Sequence, residues 1–151
     1  VDFYERVCRL SKIAYLHRVF KKYDVALAYL FGSRAENGSM LLGGQDISDN
    51  DPLADIDVGI VFQKDLPDGL DRANLYSNIY NDLEEIFRPY PLDLVFLQET
   101  HSVFQANAIS GHCIYAASSR IQEEYEENVL RLAADFRPFL EQYVDEMLEE
   151  V

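Results

Sequence analysis

Tryptophan is absent from this chain of 151 residues, and cysteine and methionine occur twice each. Cys8 and Cys113 lie far apart and form no C-x-x-C pair, which excludes a disulfide-framed scaffold and a cysteine zinc site. Both sit inside periodic apolar patterns, so two buried free thiols in a reducing cytoplasm are expected. Histidine is also scarce. His17, His101 and His112 have no paired ligand spacing and read as structural. Positive charge is short: 27 acids face 13 Lys and Arg, for a net charge of -14. Phosphate backbones are gripped by basic surfaces, so long nucleic acid is excluded as a partner. No apolar run approaches the roughly 18–20 residues that cross a bilayer, so no membrane role is expected. The opening Val1-Asp2-Phe3-Tyr4-Glu5-Arg6 does not read as a signal peptide.

What is present is an ordinary globular balance, 48% apolar and 26% charged, at a length that suits one domain over 1–151. Phe3, Val7, Leu10, Ala14 and Phe20 recur at helical spacing and predict a helix over 2–22. The apolar run Val25 to Phe31 stops at Gly32 and predicts a buried strand. From Glu36 to Leu53 the chain is rich in Gly, Asn, Asp and Ser, which predicts a long loop. A second strand is expected over 55–62, a helix over 71–87, a third strand over 92–97, a short helix near 101–110 and a strand over 112–116. The remainder reads as a long amphipathic helix with Ile121, Tyr125, Leu132, Phe136, Leu140, Tyr143 and Met147 on one stripe. Pro138 lies inside it and should kink or split it. From Ser119 to Val151 ten acids oppose three bases. That acidity has two readings, a solvated face or a docking surface for a basic partner.

Three acids stand where strands normally exclude them. Asp55 and Asp57 are two apart on a strand, so their side chains share a face. Asp93 is embedded in the apolar run Leu92 to Leu97, where an isolated carboxylate would be costly to bury. If the two strands are neighbours, three carboxylates meet, and repulsion pushes some toward protonation unless a cation joins them. Mg²⁺ is the hard cation that takes carboxylates together with substrate phosphates. Upstream, Gly32 ends the first strand and lets a ligand approach the backbone. Ser33 offers a hydroxyl and an N–H to phosphate, and Arg34 a charged contact.

The order Leu30-Phe31-Gly32-Ser33-Arg34-Ala35, then Ala54-Asp55-Ile56-Asp57-Val58-Gly59, then Leu92-Asp93-Leu94-Val95 resembles the DNA polymerase β-like nucleotidyltransferase superfamily. Its motif is a hydrophobic-Gly-Ser, an Asp-x-Asp and a third carboxylate on a later strand. The resemblance covers about 25–97, with 119–151 as a C-terminal helical extension. The size and the stretch Ala134-Asp135-Phe136-Arg137-Pro138 also look like the minimal nucleotidyltransferases paired with HEPN-type toxins.

The resemblance implies an α+β nucleotidyltransferase fold, a small mixed β-sheet flanked by helices. It implies two Mg²⁺ ions, with Mn²⁺ as a substitute, held by Asp55, Asp57 and Asp93. ATP would be the substrate, bound at Gly32, Ser33 and Arg34. AMP would pass to a hydroxyl of a partner protein, a HEPN-type toxin, and the chain would act as antitoxin. Two features depart from the pattern. Ala54 stands where the family has Ser or Thr, and Asp55 follows Gly32 by 23 positions, more than the usual dozen or so. The inserted stretch carries a further Asp-x-Asp, Asp49-Asn50-Asp51, which reads as loop acids. Two alternatives therefore stand beside the transferase: a catalytically weak or inactive module that neutralises its partner by docking, and an aminoglycoside-type enzyme acting on a small molecule. The long amphipathic helices also leave room for a homo-oligomer.

Overall fold

The computed structural model describes residues 3–45 and 55–149. Its elements are α1 (Phe3–Lys22), β1 (Val25–Phe31), α2 (Ala35–Leu42), β2 (Ile56–Phe62), α3 (Gly69–Phe87), β3 (Leu92–Phe96), α4 (Ser102–Ile109), β4 (His112–Ala116) and α5 (Ser119–Glu149). A single turn of 3-10 helix, Leu97–Glu99, links β3 to α4. The four strands form one sheet in the order β3-β2-β1-β4. β1 pairs antiparallel with both β2 and β4, while β2 and β3 run parallel with α3 as the crossover. The sheet is therefore mixed, and the α+β expectation holds.

Side-chain alternation divides the interior in two. Ile56, Val58, Ile60 and Phe62 of β2, with Leu92, Leu94 and Phe96 of β3, face α1 and α3, where Leu16, Phe20, Ile79, Leu83 and Phe87 pack. On the other face Tyr29 and Phe31 of β1 and Val61 of β2 meet Leu97 and Ala108, with Tyr125 of α5 alongside. β1 is buried at every position, which explains why its sequence is a continuous apolar run rather than an alternation. Tyr23 reaches across from the α1–β1 turn, donating its hydroxyl to Asp82 Oδ2 of α3 at 2.7 Å.

Several expectations are corrected. Residues 36–42 of the expected loop belong to the helix α2 (Ala35–Leu42). Gly38, which looked like a loop glycine, lies buried on that helix against Leu30 and Ile56 side chains. Its lack of a side chain serves packing rather than turning. Asp49, Asn50, Asp51 and Ala54 lie outside the described residues. On α1 the buried face is Leu16, Val19 and Phe20, whereas Phe3 and Ala14 are exposed. Cys113 is free but exposed, because β4 is an edge strand; Cys8 lies where side chains are not described. Pro138 does not split α5, which runs as one helix through it. The stripe on α5 is covered only at its start, where Ile121 and Tyr125 pack against the second core. From Leu132 onward its apolar members are exposed.

Candidate active site

The strand directions bring the motif residues to one end of the sheet. β1 finishes there at Phe31, β2 begins there beside it with Phe31 opposite Asp57, and β3 begins there with Asp93 opposite Asp57. The β2–β3 junction is fastened by the Ile56 N–H, which donates to the Pro91 carbonyl at 2.8 Å. In a parallel pair, residues in register project to the same face, so the Asp57 and Asp93 carboxyls are neighbours. They share a hydrogen bond, and Asp57 is pushed up to about 6 by partial burial first, then by the charge of Asp93 and its hydrogen bond, and by Asp55. Asp55 stands immediately before β2 and is exposed, as is Asp93, while Asp57 is half-buried.

Gly32 is fixed by two separate constraints. Its φ is +74°, in the left-handed region that favours glycine, and a Cβ built on it would overlap Asp57 Oδ2. The chain thus turns directly over the carboxylate. Ser33 is exposed beyond that turn, and Arg34 precedes α2 as its cap residue. The N-terminus of α2 lies at this point with the positive end of the helix dipole, an arrangement suited to an anion, although the Ala35 N–H already donates to the Gly32 carbonyl at 3.4 Å. The sequence reading did not identify this helix terminus; hydrophobic Met40, Leu41 and Leu42 after Ser39 were the signal available for it. Glu36 sits in the first turn of α2, where its carboxylate contacts His112 Nε2 on β4 at 3.2 Å. His101 caps α4 by accepting the Val103 N–H, and His17 packs edge-on against Tyr115. Each of the three histidines is exposed and makes one of these local contacts.

Tyr76 of α3 packs beside β3. Its hydroxyl donates to the Leu94 carbonyl at 2.9 Å, and it is raised above the ordinary tyrosine range by burial and then by the charge of Asp93. Arg72 lies over the Tyr76 and Phe96 rings and forms a paired contact with Glu99.

The sequence profile described as Polymerase beta, Nucleotidyltransferase matches residues 15–120, which take in all four strands and every motif residue. The chain belongs to this family. No curated protein matches the sequence of this nucleotidyltransferase-family member. Its fold is similar to that of solved structures. One is a mutant of the toxin–antitoxin pair MntA–HpeT, at TM-score 0.64 and 14% identity over 90% of this chain and 98% of the other. A second is a complex of tri-AMPylated Shewanella oneidensis HEPN toxin with MNT antitoxin, at TM-score 0.62 and 15% identity over 93% and 98%. A third is a toxin–antitoxin with AMP-PNP, at TM-score 0.62 and 16% identity over 90% and 98%. At these identities the likeness is one of fold.

Whether the residues suit a divalent cation follows from the donors. Asp57 and Asp93 are brought together, and Asp55 is near enough for its charge to act on Asp57. Among the described residues, no group of three His, Cys, Asp or Glu side chains is already gathered as a metal cage. The donors are nonetheless all carboxylate oxygens, and burial together with the charges of Asp93 and Asp55 raises Asp57. The set fits a hard cation such as Mg²⁺, with Asp55 the ligand that has to draw in.

Proposed function

We propose that this chain transfers AMP from ATP to a hydroxyl of a partner protein, a HEPN-type toxin, and thereby acts as its antitoxin. The observation that carries the reading is the contact of Gly32 over Asp57, with Asp57 paired to Asp93 in register. A glycine turn against a carboxylate pair, at the start of a helix, supports a phosphate held beside a metal-binding pair. The family supports nucleotide transfer in general, and the complexes of similar fold, one with an AMPylated HEPN toxin and one with AMP-PNP, support the nucleotide and the partner.

Ser33 and the first N–H groups of α2 would hold the β- and γ-phosphates, with Arg34 adding a charged contact. Asp55, Asp57 and Asp93 would hold two Mg²⁺ ions, which neutralise the phosphate charge and acidify the attacking hydroxyl. Asp93, exposed at the strand start, would receive the hydroxyl proton. The new P–O bond forms at the α-phosphorus, the bond to the β-phosphate oxygen breaks, and pyrophosphate carries away that electron pair. Most of the acceleration would come from positioning and charge neutralisation. Incubation with ATP labelled at the α-phosphate, Mg²⁺ and a candidate HEPN-type partner protein from the same organism tests the reading. Label is expected on the partner and lost with Asp93→Asn; an unlabelled partner would sink it.

A second reading, neutralisation by docking alone, is favoured by the exposed apolar half of α5, which can bind without chemistry. A tight complex with unmodified partner, unaffected by Asp55→Ala and Asp57→Ala together, would establish it over the first.

A further inference from the structure

α5 changes character along its length. Its first part lies on β1 and β4 and against α4, and Val129 is its buried anchor. Tyr29 donates to Glu126 at 2.9 Å and Tyr125 to Gln105 at 2.6 Å, tying this part to the sheet and to α4. From Leu130 to Glu149 every residue but Ala133 is exposed. At 1.5 Å per residue, these twenty positions make a rod about 30 Å long. Leu132, Phe136, Phe139, Leu140, Tyr143 and Met147 recur at three- and four-residue spacing and form one face of it. Phe139 is 67% exposed and Tyr143 60%. Scattered apolar residues on a surface mean little, but a contiguous stripe of this kind marks an interface. A lone helix of this length gains little in water without a face to pack.

We propose that this outer half of α5 docks an amphipathic helix of the partner protein, one whose apolar stripe is edged by Lys or Arg. The inference rests on the reading that the chain acts on a protein, and it deepens that reading by assigning the docking element. Charge selects the occupant. Over Ser119–Glu149 nine acids oppose three bases, and one base, Arg137, is already paired with Glu141 at 3.2 Å. On a helical wheel Asp135 and Glu146 border the Phe139 edge of the stripe. A second copy of this chain would set acidic edge against acidic edge, which complementarity opposes, whereas a basic edge is attracted. Sockets for anchoring side chains flank the stripe. One groove of about 440 Å³ runs between Val103 of α4 and Leu130, Arg137 and Leu140 of α5. Another of about 500 Å³ is bounded by Thr100, His101, Leu132, Phe136 and Phe139, with the His101 ring 4.3 Å from that of Phe136. Such pockets beside an exposed stripe are where buried anchor residues concentrate binding energy.

The test uses the full chain and a candidate HEPN-type partner protein from the same organism, purified separately, with affinity read by titration calorimetry. Phe136→Asp combined with Tyr143→Asp should weaken binding at least 100-fold. Asp135→Lys combined with Glu146→Lys should weaken it about 10-fold and flatten its salt dependence. The second pair changes only surface charge, so it remains informative if the first perturbs the helix. Unchanged affinity in both pairs would overturn the proposal, as would failure of the wild-type chain to bind. So would sedimentation of the chain alone as a dimer that the first pair dissolves, because a second copy would then cover the stripe. The two readings fail separately. Variant-sensitive binding without nucleotide transfer retains the docking element and removes the transferase. Transfer with variant-insensitive binding does the reverse.

Discussion

Asp57 and Asp93 are cross-strand partners in parallel register, and partial burial, then the charge and hydrogen bonding of Asp93, raise Asp57 to about 6. The relationship has a stability consequence. The ordinary value for this carboxyl is 3.8, so the folded chain holds its proton more tightly than the unfolded chain does. Stability therefore falls as pH rises from about 4 to about 6 and stays reduced above that. Asp57→Asn removes the charge and keeps a hydrogen-bond donor for Asp93. In the absence of divalent cations, its thermal midpoint at pH 7.5 should exceed that of the wild type by a few degrees, about 2–4 °C per kcal/mol at this size. The advantage should shrink toward pH 4. A midpoint that is no higher at pH 7.5 would show that the carboxyl pair carries no strain.

The same pair should report a bound cation. Mg²⁺ that joins the three acids stabilises the folded chain by mass action. Adding 10 mM Mg²⁺ should raise the wild-type midpoint at pH 7.5, raise it less at pH 5 where protons compete, and leave Asp57→Asn unchanged. Differential scanning calorimetry checks all three arms. An equal rise in the variant would place the bound ion elsewhere.

Gly32 makes a sharper case, because its two constraints act together. Gly32→Ala demands a left-handed residue with a side chain, which costs about 1–2 kcal/mol, and drives the new methyl into Asp57. The lower midpoint should be accompanied by loss of most nucleotide transfer, since the carboxylate must move. Ser33→Ala offers the contrast. Ser33 is exposed, so stability should hold within about 0.5 kcal/mol while ATP affinity falls roughly 10-fold for a lost phosphate contact. Urea unfolding and nucleotide titration separate the two.

The sheet and the candidate residues at one end of it were legible from the sequence because those residues are exceptional for their places. Asp93 interrupts an apolar strand, and Gly32 closes one. The register that joins Asp57 to Asp93 is set by the α3 crossover between parallel strands, a long-range fact that no local pattern contains. Helix α2 was hidden because Asn37-Gly38-Ser39 carries the composition of a turn, and only the packing of Gly38 against Leu30 and Ile56 explains the glycine. Periodicity found the stripe on α5 and could not say what it faces. An amphipathic pattern records that one face is apolar; whether the chain's own core or another molecule covers it is decided by tertiary structure. The same limit applies to Cys113, whose apolar neighbourhood belongs to an edge strand.

The two halves of α5 should respond differently to truncation. Val129 is 3% exposed, whereas Phe136 is 37% exposed and touches the rings of His101 and Phe139. Val129→Ala removes two buried methyl groups and should cost about 1.5–3 kcal/mol, between the losses for one methyl and for a whole Leu side chain. Tyr29→Phe deletes the donor to Glu126 and should cost about 0.5–1.5 kcal/mol, since one hydrogen bond is lost and Gln122 still donates to that carboxylate. Tyr143→Ala, on the outer half, leaves the folded chain nearly as stable, within about 0.5 kcal/mol. Denaturant unfolding of the isolated chain measures these changes. A large loss at Tyr143 would mean that the outer half is held by the chain itself, and the stripe would then have no claim on a partner.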